Sequence, residues 1–153
     1  MDEKLFLLID FINKKYNVKI YLNNNKKNKL GVYLKYIQNK NEKFELIKLC
    51  KKKLLESSYE LNLSLDILTF FVLFHEIGHM LIEKSKIIQN EEYASYIAIK
   101  LLSQLNICTQ NEMNEISNYF NNFEVISEKR KCELEVLAEL FSYSLKKEKI
   151  IAL

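Results

Sequence analysis

Along the first sixteen residues, "MDEKLFLLIDFINKKY", apolar positions recur at the spacing of a helical face, which predicts an amphipathic helix. Period-two alternation then takes over. "NVKIYL" (17–22) is short and β-branched, "KLGVYLKYIQ" (29–38) sets Val32, Leu34 and Tyr36 on one face, and "FELIKLC" (44–50) resumes the pattern. The polar runs "NNNKKNK" (23–29) and "NKNEK" (39–43) separate these segments and read as turns. Three strands on short polar connections predict an antiparallel meander.

Residues 51–62 carry a weaker signal, consistent with a helical turn and a connection. Ser64 is a suitable N-cap, with Asp66 at the positive end of the dipole, for a helix running to about Lys84. That segment is apolar nearly all round and so belongs inside the fold. Asn90 can cap a following helix through "EEYASYIAIKLLSQL", and two more helices are expected, near 111–120 and onward from Ser127. Helix, strands, then helices give an α+β domain with helices packed on one side of a small sheet. At 153 residues, with no proline and no glycine-rich break, the chain reads as a single domain.

Composition narrows the function classes. With 48% hydrophobic residues the chain is too apolar for disorder. The net charge of +3 comes from lysines scattered among Asn and Ile, with Arg130 the only arginine, which argues against direct nucleic-acid binding. Cys50, Cys108 and Cys132 are far apart and odd in number, as expected of reduced thiols in a cytoplasmic protein. The N-terminus starts acidic, unlike a secretory signal. The longest apolar stretch, 61–82, approaches membrane-spanning length, but Asp66, His75, Glu76 and His79 within it would be costly in lipid, so no membrane span is expected.

Those same polar residues carry the candidate chemistry. In "FFVLFHEIGHML" (70–81), His75 and His79 stand four apart and project from one helix face, where two imidazole nitrogens can hold one zinc ion. Glu76 lies about 100° round the helix from His75, placed to act as a base on a water molecule. These are the only two histidines in the chain, and chance would give them this spacing with a following Glu on the order of once in a thousand. The competing expectation, a buried helix whose histidines bond to backbone, must bury two imidazoles and a carboxylate without strong partners. Gly78 is a weak helix former, which suggests that a side chain there would crowd a neighbouring element or a substrate. With no other histidine, a third protein ligand would be a carboxylate or a cysteine, and the nearest candidates are Glu91 and Glu92, which open the next helix and equally suit its dipole.

"FFVLFHEIGHML" followed by "EEYASYIAIKLL" resembles the ImmA/IrrE family of zinc metallopeptidases, in which an HE[LI]GH helix precedes an E-x-E-A-N-x-F-A-A-E-L-L pattern. Glu91 matches the first glutamate of that pattern, Ala94 and Ala98 the first two of its three alanines, Ile97 its aromatic, and Leu101 and Leu102 its closing leucines. Tyr93 stands where the family usually has a second glutamate, Ser95 stands where an Asn or Asp often supports a ligand, and the interval from His79 to Glu91 is short for the group. The resemblance implies a small zincin-like fold, with a catalytic core over 1–107 and a C-terminal helical part over 108–153. It further implies Glu91 as third zinc ligand, Glu76 as catalytic base, and site-specific cleavage of a helix-turn-helix repressor of a phage or mobile element. Tyr93 and Tyr96 are oxyanion-donor candidates by sequence proximity alone, with core packing the expected role of each, and "FELIKLC" is the expected edge strand for a substrate. Two alternatives need no catalysis: a zinc-stabilised module that binds a transcriptional regulator, and a metal-free helical interaction protein.

Overall fold

The computed structural model describes residues 3–23, 29–39 and 42–149. In chain order the elements are α1 (Glu3–Tyr16), β1 (Val18–Asn23), β2 (Gly31–Asn39), β3 (Glu42–Cys50), α2 (Lys51–Leu61), α3 (Leu65–Lys84), α4 (Glu91–Gln104), α5 (Gln110–Ser117) and α6 (Glu128–Lys147). The α+β expectation holds among the described residues, and the weakly signalled segment after Cys50 is a full helix, α2. Of the runs expected to be turns, residues 24–28 and 40–41 lie outside the described residues, as does the side chain of Tyr36, while Asn39 ends β2 and Glu42 and Lys43 open β3.

The sheet is mixed, which corrects the predicted antiparallel meander. Its order is β1-β3-β2, with β1 parallel to β3 and β2 antiparallel to it. Adjacency in sequence favours a meander, but burial decides the order. β3 carries the fully buried Ile47 and Leu49, so it gains most from the centre, leaving β2 and β1 as edges. The strand expected at the edge, "FELIKLC", is therefore the central one.

Register then selects the inward face. Gly31 pairs with Leu49 and Tyr33 with Ile47, while Ile20 and Leu22 of β1 pair with the same two residues. A Cβ on Gly31 would come within 2.8 Å of Val72 and 3.0 Å of Leu49, so this is the face on which α3 lies. Val32 and Leu34 point the other way, and Leu34 is 38% exposed. The apolar alternation in β2 thus marks the outer face, because the inner one gives up a side chain at Gly31 to let α3 approach.

α3 is the centre of the core. Its residues from Ile67 to Phe74 are all buried, and so are Ile77, Met80 and Ile82. The helix is long and apolar enough to cross a bilayer, but 78% of its most apolar window is buried inside the protein. Ser64 occupies the N-cap position without a side-chain cap bond, whereas Asn90 Oδ1 accepts from the Glu92 and Tyr93 amides and Ser127 accepts from Arg130. α4 packs along α3 through Ala94, Ile97, Ala98 and Leu101, all fully buried. α6 closes the outer side of α4, tied to it by a hydrogen bond from the Tyr96 hydroxyl to Glu135.

Candidate metal centre

α3 presents His75 and His79 one turn apart, and the loop 85–90 returns the chain so that α4 begins beside them. Gly78 makes this approach possible. A Cβ there would stand 2.9 Å from the Ala94 carbonyl oxygen and 3.1 Å from Ala94 Cα, so α4 backbone occupies the space a side chain would need. The crowding expected at Gly78 is real, and its partner is the neighbouring helix.

With α4 held this close, its first turn reaches the histidines. Glu91 Oε2 lies 2.8 Å from His75 Nε2 and 3.3 Å from His79 Nε2. One ligand atom from each residue falls within 4.8 Å of the others, a cluster able to hold a metal ion. Glu91, and not Glu92, joins the histidines. The two side chains leave α4 about 100° apart, and Glu92 is absent both from the cluster and from the groove that contains the histidines.

The outer nitrogens of both rings are held. His79 Nδ1 is 2.7 Å from Gln89 Oε1, and Gln89 Nε2 donates to the His79 carbonyl at 2.8 Å. The second bond fixes the amide orientation, so the oxygen faces the ring and Nδ1 must carry the proton. His75 Nδ1 is 2.9 Å from Ser95 Oγ. Both Nε2 atoms are thereby turned toward the Glu91 carboxylate. Two imidazole nitrogens and a carboxylate oxygen sharing one small space call for a positive charge among them, on the rings or as a cation.

Electrostatics agrees with that geometry. The Glu91 carboxyl is pulled down to about 2, first by its hydrogen bond with His75 and further by the charge of both rings. Glu76 behaves oppositely. It is only 6% exposed, and burial raises its carboxyl above the usual range against the opposing pull of the two histidines and a hydrogen bond from the Tyr33 backbone amide. That amide belongs to the edge strand β2, which forms one wall of a groove of about 890 Å³ containing His75, Glu76, His79 and Glu91.

The proposed oxyanion donors are elsewhere. The Tyr96 hydroxyl is engaged by Glu135, and the Tyr93 ring lies under Arg130, 5.5 Å from its guanidinium carbon; neither residue lines the groove. The tyrosine that does is Tyr33, whose hydroxyl donates to Glu45 at 3.2 Å. Gln89 and the Tyr33 amide carry no sequence signal for their roles. Ser95 carries one, since it follows Glu91 by four residues on α4 and so shares its face. No family model, curated protein or solved structure matches the chain, so functional assignment starts from this arrangement of side chains.

Proposed function

We propose that the chain is a zinc-dependent metalloendopeptidase of the ImmA/IrrE kind, acting in the cytoplasm on a helix-turn-helix repressor of a phage or mobile element. The observation that carries this reading is the convergence of both Nε2 atoms on Glu91 Oε2, with the buried Glu76 carboxylate beside them in an open groove. The donor set fits zinc: two neutral imidazoles and one carboxylate are a known catalytic ligand set that leaves a coordination position open. The outer hydrogen bonds to Gln89 and Ser95 are the kind that orient metal-binding histidines. Zinc bound there would supply Lewis acidity toward a peptide carbonyl and lower the pKa of water.

The remaining work falls to the chain's own residues. Glu76 accepts the proton of the attacking water and delivers it to the leaving amine, a role suited to a carboxyl whose proton affinity burial has raised. The Tyr33 amide holds that carboxylate against β2. Gln89 and Ser95 keep the rings in one orientation. β2 pairs only with β3 among the described residues, so its outer edge can receive an extended peptide as an added strand. The repressor substrate is supported by the family resemblance alone.

The test incubates wild type and Glu76→Gln with a helix-turn-helix repressor, taken from the neighbouring gene if that gene encodes one. About one zinc per chain is expected in both forms, with cleavage only by wild type. Cleavage unchanged by the substitution would remove Glu76 from the mechanism. Zinc and repressor binding without cleavage in either form would favour the non-catalytic module.

A further inference from the structure

The groove has two dissimilar ends. β2 runs along α3, with Gly31 opposite Val72 and Glu76, and Lys35 bonded to Glu83 at 3.3 Å nearer the end of the helix. At that end the charges are matched, since Lys84 also bonds Glu45 at 3.2 Å. The other end is bounded by α2, because the Cys50 amide donates to the Leu30 carbonyl at 2.9 Å and holds the segment before β2 against the start of that helix. Here Lys29 and Lys53 line the groove, and neither has an acidic partner among the described residues.

Ser57 makes this end more than a pair of surface lysines. It follows Lys53 by one helical turn, lines the same groove and is 8% exposed. Its hydroxyl has no hydrogen-bond partner among the described residues, whereas the adjacent Ser58 bonds back to the Leu55 carbonyl at 2.8 Å. A buried hydroxyl without a partner is unfavourable unless something else supplies one. Phe71, one turn before His75, stacks on Phe120 with ring centroids 4.3 Å apart, and both rings line the groove. An apolar shelf with two ammonium groups and a hydroxyl free to donate favours an anion at the polar tip of a ligand.

We propose that Lys29, Lys53 and Ser57 form a carboxylate subsite at the α2 end of the groove. The bound peptide places there either an acidic side chain or its own C-terminal carboxylate. That the ligand is a peptide, and its anionic group therefore a carboxylate, rests on the metallopeptidase reading; that the subsite takes an anion does not.

Three small probes separate the possibilities by amide NMR on the zinc-loaded full chain. N-acetylglutamate α-methylamide has only a side-chain carboxylate, N-acetylglutamine only an α-carboxylate, and N-acetylglutamine methylamide none. One of the two acids is expected to bind about tenfold tighter than the neutral probe, shifting the Lys53 and Ser57 amides, and to lose most of that advantage in high salt. Whichever acid prevails identifies the source of the carboxylate. Lys29→Ala with Lys53→Ala should abolish the preference, and Ser57→Ala should weaken it severalfold. Equal binding of all three probes overturns the proposal. So does carboxylate binding that shifts only His75 and His79 and survives the lysine substitutions. A carboxylate preference that depends on the lysines, in a protein that cleaves no peptide, would sustain the subsite and count against the peptidase.

Discussion

Replacing Gly78 with alanine separates helix propensity from tertiary packing at the point where the two conflict. On propensity alone, Gly→Ala in a helix interior stabilises by about 0.5–1 kcal/mol. The structure opposes that gain. The new Cβ would meet the Ala94 carbonyl oxygen at 2.9 Å, and this contact is backbone, which cannot rotate away. Restoring ordinary contact near 3.4 Å requires α4 to move outward by about half an ångström. Overpacking of this kind costs about 1–3 kcal/mol, so the net effect runs from near zero to a loss of about 2.5 kcal/mol. The same displacement carries Ser95 and Glu91 away from His75, from which they stand at 2.9 and 2.8 Å. Zinc affinity should therefore fall about tenfold or more, as when supporting contacts of a metal site are lost. Urea unfolding of the metal-free protein, with zinc competition against a chromophoric chelator, measures both quantities. A variant that is more stable by about 1 kcal/mol and binds zinc as tightly as wild type would refute the packing argument.

Ser95→Ala and Gln89→Ala should each lower zinc affinity by roughly ten- to a hundredfold while leaving the circular dichroism spectrum unchanged; affinity equal to wild type would remove these residues from the support of the rings. Burial raises the Glu76 carboxyl, so the folded state keeps that proton to higher pH than the unfolded chain, whose glutamates titrate near about 4.3. Stability is accordingly lost as pH rises through the interval above the unfolded value. Metal-free Glu76→Gln should therefore gain on wild type in urea midpoint as pH increases from about 4.5 toward neutrality, and a gap independent of pH would contradict this. Among the thiols, exposed Cys132 should react first with a disulfide reagent at pH 8. Cys108, pushed up to about 12 by burial, should lag, and buried Cys50 should wait for unfolding. Mass spectrometry of the partially labelled protein gives the order.

Features governed by a few neighbouring residues are legible in the chain itself. The i,i+4 histidines of α3, the Asn90 and Ser127 caps and the glycine in a helix interior depend on local geometry alone, and each stands where its sequence pattern implies. The strands at β2 and β3 are likewise readable from alternation. Their pairing is not. Alternation repeats every two residues whatever the neighbour, so it cannot distinguish β1-β2-β3 from β1-β3-β2 or reveal which face of β2 is inward.

The site divides in the same way. His75, Glu76 and His79 lie within one turn of one helix, and helical periodicity is enough to place their side chains together. Glu91 over Glu92, Ser95 on one ring and Gln89 on the other depend on the angle and distance at which α4 meets α3. That approach is set by the contact of Gly78 with the Ala94 backbone and by the buried apolar faces of both helices. The environment of Glu76 likewise depends on β2 being an edge strand whose Tyr33 amide is available. The sequence by itself determined which side chains can act from α3. Only the tertiary structure decided which others meet them, because those meetings depend on packing between elements far apart in the chain.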